Sequence, residues 1–325
     1  MRLLVLGGTA WLGRTTAQAA LDAGHAVACA TRGDGIPAGA QRIRIDRDDP
    51  DGLAPLHGQT WDAVIDVARE PGHVRRATRA LADAAGRYVF VSTCNVYADQ
   101  STIGADETAP LLPPLDADEM ASLEDYGSAK VAGEQAVVAA FGADRSALVR
   151  PGLIGGPGDP TGRSTYWPRR FARPSSSDGA VLSPDAPQLP TALLDVRDLA
   201  AWLVHLASGH GAGAYDAAGA SLLLPAHLAT AQRAAGHRGS IVAAGEDRLI
   251  AEGVAQWAGP RSLPLWLADR DWYGMNARSV ERAVADGLVR RPLEETLRDT
   301  IDGGPVVTGA GLTDEEERAL LRDLA

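Results

Sequence analysis

The chain has 325 residues, 45% of them hydrophobic, which is enough for a real core in one large α/β unit or in a main unit with a smaller appendage. Its formal net charge of -11 argues against nucleic acid as the main partner, because phosphate binding needs a basic surface. No apolar run is long enough to span a membrane and the N-terminus lacks an apolar signal region, so no membrane partner and a cytoplasmic location are expected.

The first stretch organises the rest. Leu3-Leu4-Val5-Leu6 reads as a strand buried on both faces, Gly7-Gly8-Thr9-Ala10 as a tight turn, and Arg14 to Ala23 as a helix. Strand, glycine turn and helix put a helix N-terminus under a pyrophosphate. Gly7 lets the chain turn, Gly8 and Ala10 keep side chains small, and Gly13 lets the helix approach the strand. Ala10 stands where the usual dinucleotide fingerprint has its middle glycine. A second strand, His25 to Ala30, ends in Thr31-Arg32-Gly33. NAD-specific sites place a carboxylate at this strand end; here Arg32 occupies it, with Asp34 close by, and Arg32 reads either as a ligand for a 2′-phosphate or as a solvated side chain.

A third strand, Arg42 to Ile45, ends in Asp46-Arg47-Asp48-Asp49, whose acids can accept from an adenine amino group or cap a following helix. A fourth strand covers 61–68, a helix about 73–85, and a fifth strand 87–92, ending in Ser92-Thr93-Cys94-Asn95-Val96-Tyr97. The irregular stretch from Ala98 to about Leu123 is long enough to suggest a functional loop. Tyr126 and Lys130 follow, four apart and on one face of an Ala/Val-rich helix ending near Gly142. A sixth strand, Ser146 to Val149, runs into Arg150-Pro151-Gly152. Residues 155–190 are rich in Gly, Pro, Ser and Arg, with Tyr166, Trp167 and Phe171 among them. A helix to about Ala207, capped by Asp195 or Asp198, a short strand at 215–217, and helices at 226–235, 246–258, 276–286, 292–302 and 313–324 complete the chain.

The Gly7–Gly13 turn, Thr93 with Val96-Tyr97, Tyr126-x-x-x-Lys130, Arg150-Pro151-Gly152 with Gly155-Gly156-Pro157-Gly158-Asp159, and Asp195-Val196-Arg197-Asp198-Leu199 resemble, in this order, the extended short-chain dehydrogenase/reductases, the NAD(P)-dependent epimerases, dehydratases and reductases. The resemblance reaches from residue 1 to about 303. It implies a Rossmann-like, doubly wound, mainly parallel α/β sheet with a smaller C-terminal substrate domain: residues 1–152 bind the dinucleotide, the chain rejoins that part at about 190–218, and the remainder of 153–325 covers the substrate. It implies catalysis by Thr93, Tyr126 and Lys130, and cofactor contacts at Gly7, Thr9, Ala10, Trp11, Leu12, Gly13, Arg32, Asp46, Arg47, Val67, Ala68, Lys130 and Pro151. Tyr126 passes a proton, Thr93 donates to the substrate oxygen, and Lys130 favours the phenolate and holds the nicotinamide ribose.

The expected activity is reduction of a small-molecule carbonyl, on a sugar nucleotide or an intermediate of specialised metabolism, with NADP(H) preferred and NAD(H) accepted. An epimerase working by transient oxidation is a second reading, and a non-catalytic nucleotide-binding sensor or partner protein is a third. Two departures stand out. Ala68-Arg69-Glu70-Pro71-Gly72-His73 has no asparagine where relatives use one in a proton relay. Cys94-Asn95 replaces the Asp-Glu that sugar dehydratases of the family place after the threonine, which disfavours a 4,6-dehydratase. The seven histidines show no metal spacing, and no metal is expected. Two cysteines make no disulfide framework. Tyr166 and Trp167 fall in the region that covers substrate in relatives and serve either there or in a core. Relatives commonly dimerise through helices corresponding to 73–85 and 126–141, so a homodimer is an expectation too.

Overall fold

The computed structural model describes residues 1–302 and 309–324. Seven parallel strands form the central sheet: β1 (Arg2–Leu6), β2 (Ala26–Thr31), β3 (Gln41–Arg44), β4 (Ala63–Asp66), β5 (Tyr88–Val91), β6 (Ser146–Pro151) and β7 (Gly213–Ala217). Their order is β7-β6-β5-β4-β1-β2-β3. The order reverses between β1 and β4, and the strand ends there open the crevice where doubly wound sheets bind ligands.

Alternation along β1 explains the layering. Leu3 and Val5 enter one hydrophobic cluster with Val27 and Leu203, while Leu4 and Leu6 enter another with Phe90 and Val137. Helices α1 (Trp11–Asp22) and α5 (Val196–Ala207) cover the first face, and α2 (Pro71–Leu81) and α3 (Tyr126–Phe141) the second. Asp195 caps α5, accepting from the Arg197 N–H at 2.8 Å, which decides between the two candidate caps.

A third cluster lies outside the sheet and gathers Trp167, Phe171, Leu182, Leu228 and Trp266. Here the structure adds elements and redraws two of the expected helices. The stretch 155–190 contains a helix, α4 (Tyr166–Ala172), and a strand Val181–Pro184. Tyr166 and Trp167 are buried in this cluster, and the Trp167 indole donates to Pro264 O at 2.7 Å, so both are core residues. The helix expected at 246–258 stops at Ala251, because Gly253 takes a φ of 68° and the chain turns into the strand Ala255–Trp257. The helix expected at 276–286 shrinks to Glu281–Ala285, and a 3₁₀ segment Arg270–Asn276 precedes it.

The long stretch after β5 is irregular but well tied. Met275 N–H donates to Gln100 O at 3.0 Å and Gly104 N–H to Ala277 O at 2.8 Å. A buried ionic group lies beneath it: Tyr97 donates to Asp216 at 2.8 Å and accepts from Arg150 at 2.9 Å, while Arg278 pairs with Asp216 at 2.7 Å. Burial pushes the Asp216 carboxyl up to about 6 against the pull of Arg278. No described helix is long and apolar enough to cross a membrane.

Candidate active site

The turn after β1 is shaped by close approach. A Cβ on Gly13 would sit 2.3 Å from Gly7 O, and one on Gly8 would sit 2.6 Å from Cys29 Sγ. Gly7 itself has a φ of 94°, open to glycine at little strain. Ala10, at the N-cap of α1, provides no side-chain acceptor, and no acidic residue occupies the first turn. The leading N–H groups of α1 are therefore not capped by a side chain and form an anion site. The cradle fits the pyrophosphate of a dinucleotide. Thr9 and Thr31 share a hydroxyl hydrogen bond of 2.8 Å that ties the turn to the end of β2. The Trp11 indole donates to Pro157 O at 3.0 Å and clasps the segment after β6, and Leu12 packs on the core.

At the end of β2, Arg32 is 66% exposed and lies 2.6 Å from Asp48 and 3.5 Å from Asp46. Asp34 pairs with Arg42 instead. Asp48 also meets His73 Nε2 at 2.6 Å, and the His73 hydrogen bond is the first cause holding its carboxyl below the usual range. Asp46 accepts from the Asp48 N–H at 3.1 Å and caps no helix, since the 3₁₀ turn Ala54–Leu56 has no side-chain cap. The capping role expected of this acidic run is thus overturned.

The guanidinium of Arg47 is committed to Asp66, with Nη1 at 2.9 Å and Nη2 at 2.7 Å from Oδ1. Asp66 ends β4 fully buried, and it also accepts from Tyr88 OH at 2.6 Å and from the Ala68 N–H at 2.9 Å. Asp66 escaped the sequence reading; its signal was a single acid inside the apolar run Ala63 to Val67. Val67 presses on the glycine turn: a Cβ on Gly7 would meet its Cγ2 at 2.7 Å. Pro151 ends β6, paired in register with Ala217.

Tyr126 opens α3, behind a 3₁₀ turn capped by Ser122 and Asp125. One turn on, Lys130 is 2% exposed and donates to Ala68 O and Val91 O, both at 2.6 Å. Two of its three ammonium donors are thereby used and one is left for a ligand. Its Nζ lies 5.8 Å from the centre of the Tyr126 ring. Burial pushes the ammonium down to about 7, against the opposing charge of Asp66. Burial raises the Tyr126 phenol, while the charge of Arg69, the Thr93 hydroxyl and the charge of Arg163 pull it back. Thr93 accepts from the Asn95 N–H at 3.3 Å and is buried. The structure thus brings Thr93, Tyr126 and Lys130 together and adds Arg69 and Arg163, which the sequence reading had not singled out. The Cys94 thiol is pushed up to about 12 by burial, which makes it a poor nucleophile. Beside Tyr126 opens a cavity of about 590 Å³, with Asn95, Gln100, Leu112, Glu124, Asp269 and Trp272 in its lining.

A family model described as "NAD dependent epimerase/dehydratase family" matches residues 3–215. The chain belongs to that family. None of the curated proteins matches this member. Among solved structures it is similar to a candidate epimerase from Burkholderia cenocepacia J2315, at 23% identity and a TM-score of 0.68 over 93% of this chain and 97% of that one. It is similar also to the UDP-glucose 4-epimerase of Thermotoga maritima, at 16% identity and a TM-score of 0.67 over 93% and 98%. The NAD complex of the Thermus thermophilus UDP-glucose 4-epimerase has 19% identity and a TM-score of 0.65 over 93% and 98%. These likenesses establish the Rossmann-like fold of this family member.

Proposed function

We propose that this family member is an NAD(P)-dependent oxidoreductase acting on a secondary alcohol or carbonyl of a small molecule, with Tyr126 as acid and base. The observation that carries the reading is Lys130 buried beneath Tyr126, with Thr93 acting on the same phenol. The turn Gly7–Gly13 and the third donor of Lys130 hold the cofactor, which supplies or accepts a hydride when bound. Tyr126 moves the proton at the substrate oxygen. Thr93 donates a hydrogen bond to that oxygen and keeps it against the phenol. The positive charges of Lys130, Arg69 and Arg163 favour the phenolate that oxidation requires.

A second reading is epimerisation, in which the oxidised intermediate is reduced again in the same turnover. The family description and the 4-epimerases among the structural neighbours favour it. NADP(H) is the proposed preference, resting on Arg32 at the end of β2 and on Asp34 being engaged by Arg42. The adenine end is assigned to Asp46.

The test is turnover of wild type and Tyr126→Phe with carbonyl and alcohol panels. The variant keeps the ring, so cofactor affinity holds while turnover falls by roughly a hundredfold or more, as expected for loss of a general acid. Equal turnover in both proteins removes the assignment. Net cofactor reduction identifies the oxidoreductase; inversion at carbon without net reduction identifies the epimerase.

A further inference from the structure

Arg69 lies beside Tyr126, the charge of Arg163 reaches the same phenol, and neither has a carboxylate in ion-pair reach among the described residues. The other arginines near the site are matched: Arg47 on Asp66, Arg150 on Glu134, Arg278 on Asp216. Arg69 follows β4, and its guanidinium carbon lies 5.4 Å from the centre of the Tyr126 ring. Arg163 comes from the segment after β6. Its Nε donates to Thr161 Oγ1 at 3.2 Å, and its guanidinium carbon lies 5.4 Å from the centre of the Trp257 ring. The carboxylate whose charge it feels, Asp159, is occupied by the N–H and hydroxyl groups of Thr161 and Ser164. The charge of Arg163 instead reaches Tyr126 and Cys94. Arg163 is half-buried, where a guanidinium without a counter-ion is unfavourable, and a ligand that brings an anion removes the penalty; Arg69 is exposed and adds its charge from the solvent side.

The adjoining cavity has the opposite character. Asp99, Glu124, Asp269 and Asp271 line it together with Trp272, and no lysine or arginine does among the described residues. A diphosphate laid along that wall meets the like charge of those four carboxylates. Hydroxyl groups there meet acceptors.

We propose that the substrate is a small polyhydroxy acid without a nucleotide: Arg69 and Arg163 hold its carboxylate beside the reacting carbon, and its hydroxylated remainder enters the carboxylate-lined cavity. The proposal rests on the reading of Tyr126 as the acid and base. It differs from the nucleotide-sugar chemistry in the names of the structural neighbours, and it makes the two arginines specificity residues for this chain.

Isothermal titration of the full chain tests it. NAD⁺ and NADP⁺ are titrated first. The cofactor-saturated protein is then titrated with gluconate, with its neutral counterpart glucitol and with UDP-glucose. Gluconate is expected to bind about tenfold or more tightly than glucitol, as charge-assisted hydrogen bonds to guanidinium require. Arg69→Met and Arg163→Met each remove about that factor for gluconate while glucitol and cofactor affinities stay within about twofold. Circular dichroism melting confirms that both variants fold. Equal affinity for gluconate and glucitol, no detectable gluconate binding, or tighter binding of UDP-glucose overturns the proposal. Loss of cofactor affinity in both variants also overturns it, by assigning the arginines to the cofactor's pyrophosphate. Failure of wild type to bind either dinucleotide removes the functional reading itself, a separate outcome seen in the first titration.

Discussion

The ammonium of Lys130 donates to the carbonyl oxygen of Ala68 at 2.6 Å, and so ties the helix that carries Tyr126 to the loop leaving β4. The same ammonium reaches Val91 O at the end of β5. One side chain therefore registers the proton-transfer residue against the crevice where the sheet order reverses.

Lys130→Met keeps the length of the side chain and removes charge and donors. Turnover is expected to fall by roughly a hundredfold or more. Cofactor affinity falls with it, in contrast to Tyr126→Phe, because the third ammonium donor is lost as well. Cofactor titration of the two variants side by side checks this. Unchanged affinity in Lys130→Met assigns Lys130 to the phenol alone.

The glycine turn gives a prediction about packing. A Cβ at Gly13 meets Gly7 O at 2.3 Å, and a backbone carbonyl cannot step aside as a side chain can. Gly13→Ala is expected to destabilise by about 1–3 kcal/mol, the range for overpacking. It also weakens cofactor binding, since α1 has to move from β1. Gly35→Ala is the control, because a Cβ there meets nothing within 4 Å. Melting temperatures and cofactor titrations of the two variants provide the check; equal behaviour contradicts the argument.

Arg32 carries the cofactor prediction. Its guanidinium already sits on Asp48 and near Asp46, so a 2′-phosphate has to displace or share with those carboxylates. Charge-assisted hydrogen bonds contribute about 1.5–3 kcal/mol each, and competition from Asp48 places the expected gain toward the lower end. Arg32→Ala therefore weakens NADPH by about tenfold and leaves NADH nearly unchanged. Asp48→Asn frees the guanidinium and raises NADPH affinity. Titration of both cofactors against the three proteins measures this, and tighter NADH than NADPH binding in wild type reverses the assignment.

What was legible in sequence was local. The run Leu3–Leu6 and the glycines after it specify strand, turn and helix within a dozen residues, and the i, i+4 spacing puts Tyr126 and Lys130 on one face. Contacts between distant segments were not legible. Nothing near Arg47 in sequence reveals Asp66, 19 residues on, as the partner of its guanidinium. Arg69 and Arg163 are 94 residues apart by number, and only the fold brings both to one phenol. Tyr166 and Trp167 kept two readings because their cluster is completed by Pro264 and Trp266, about a hundred residues later. The helix expected at 246–258 failed for a local reason instead: the positive φ of Gly253 ends it.

The last prediction concerns acid stability. His227 lies on α6 (Leu224–Ala234), is 2% exposed, and its Nδ1 is 3.2 Å from Thr191 Oγ1. Burial pushes its imidazole down to about 4 from an ordinary value near 6.5. Between those two values the unfolded chain takes up a proton that the folded chain refuses, so stability rises with pH across that window. The contribution is fully present above about pH 6.5, declines as pH falls, and is lost by about pH 4; a shift of this size corresponds to roughly 3 kcal/mol. His227→Gln keeps a hydrogen-bonding side chain at the position without a titrating ring. Urea unfolding at pH 7 and pH 4.5 is expected to show a smaller pH-dependent loss for the variant than for wild type, by on the order of 2 kcal/mol. The same loss in both proteins shows that His227 stays uncharged at no thermodynamic consequence, or takes its proton in the fold, and contradicts the prediction.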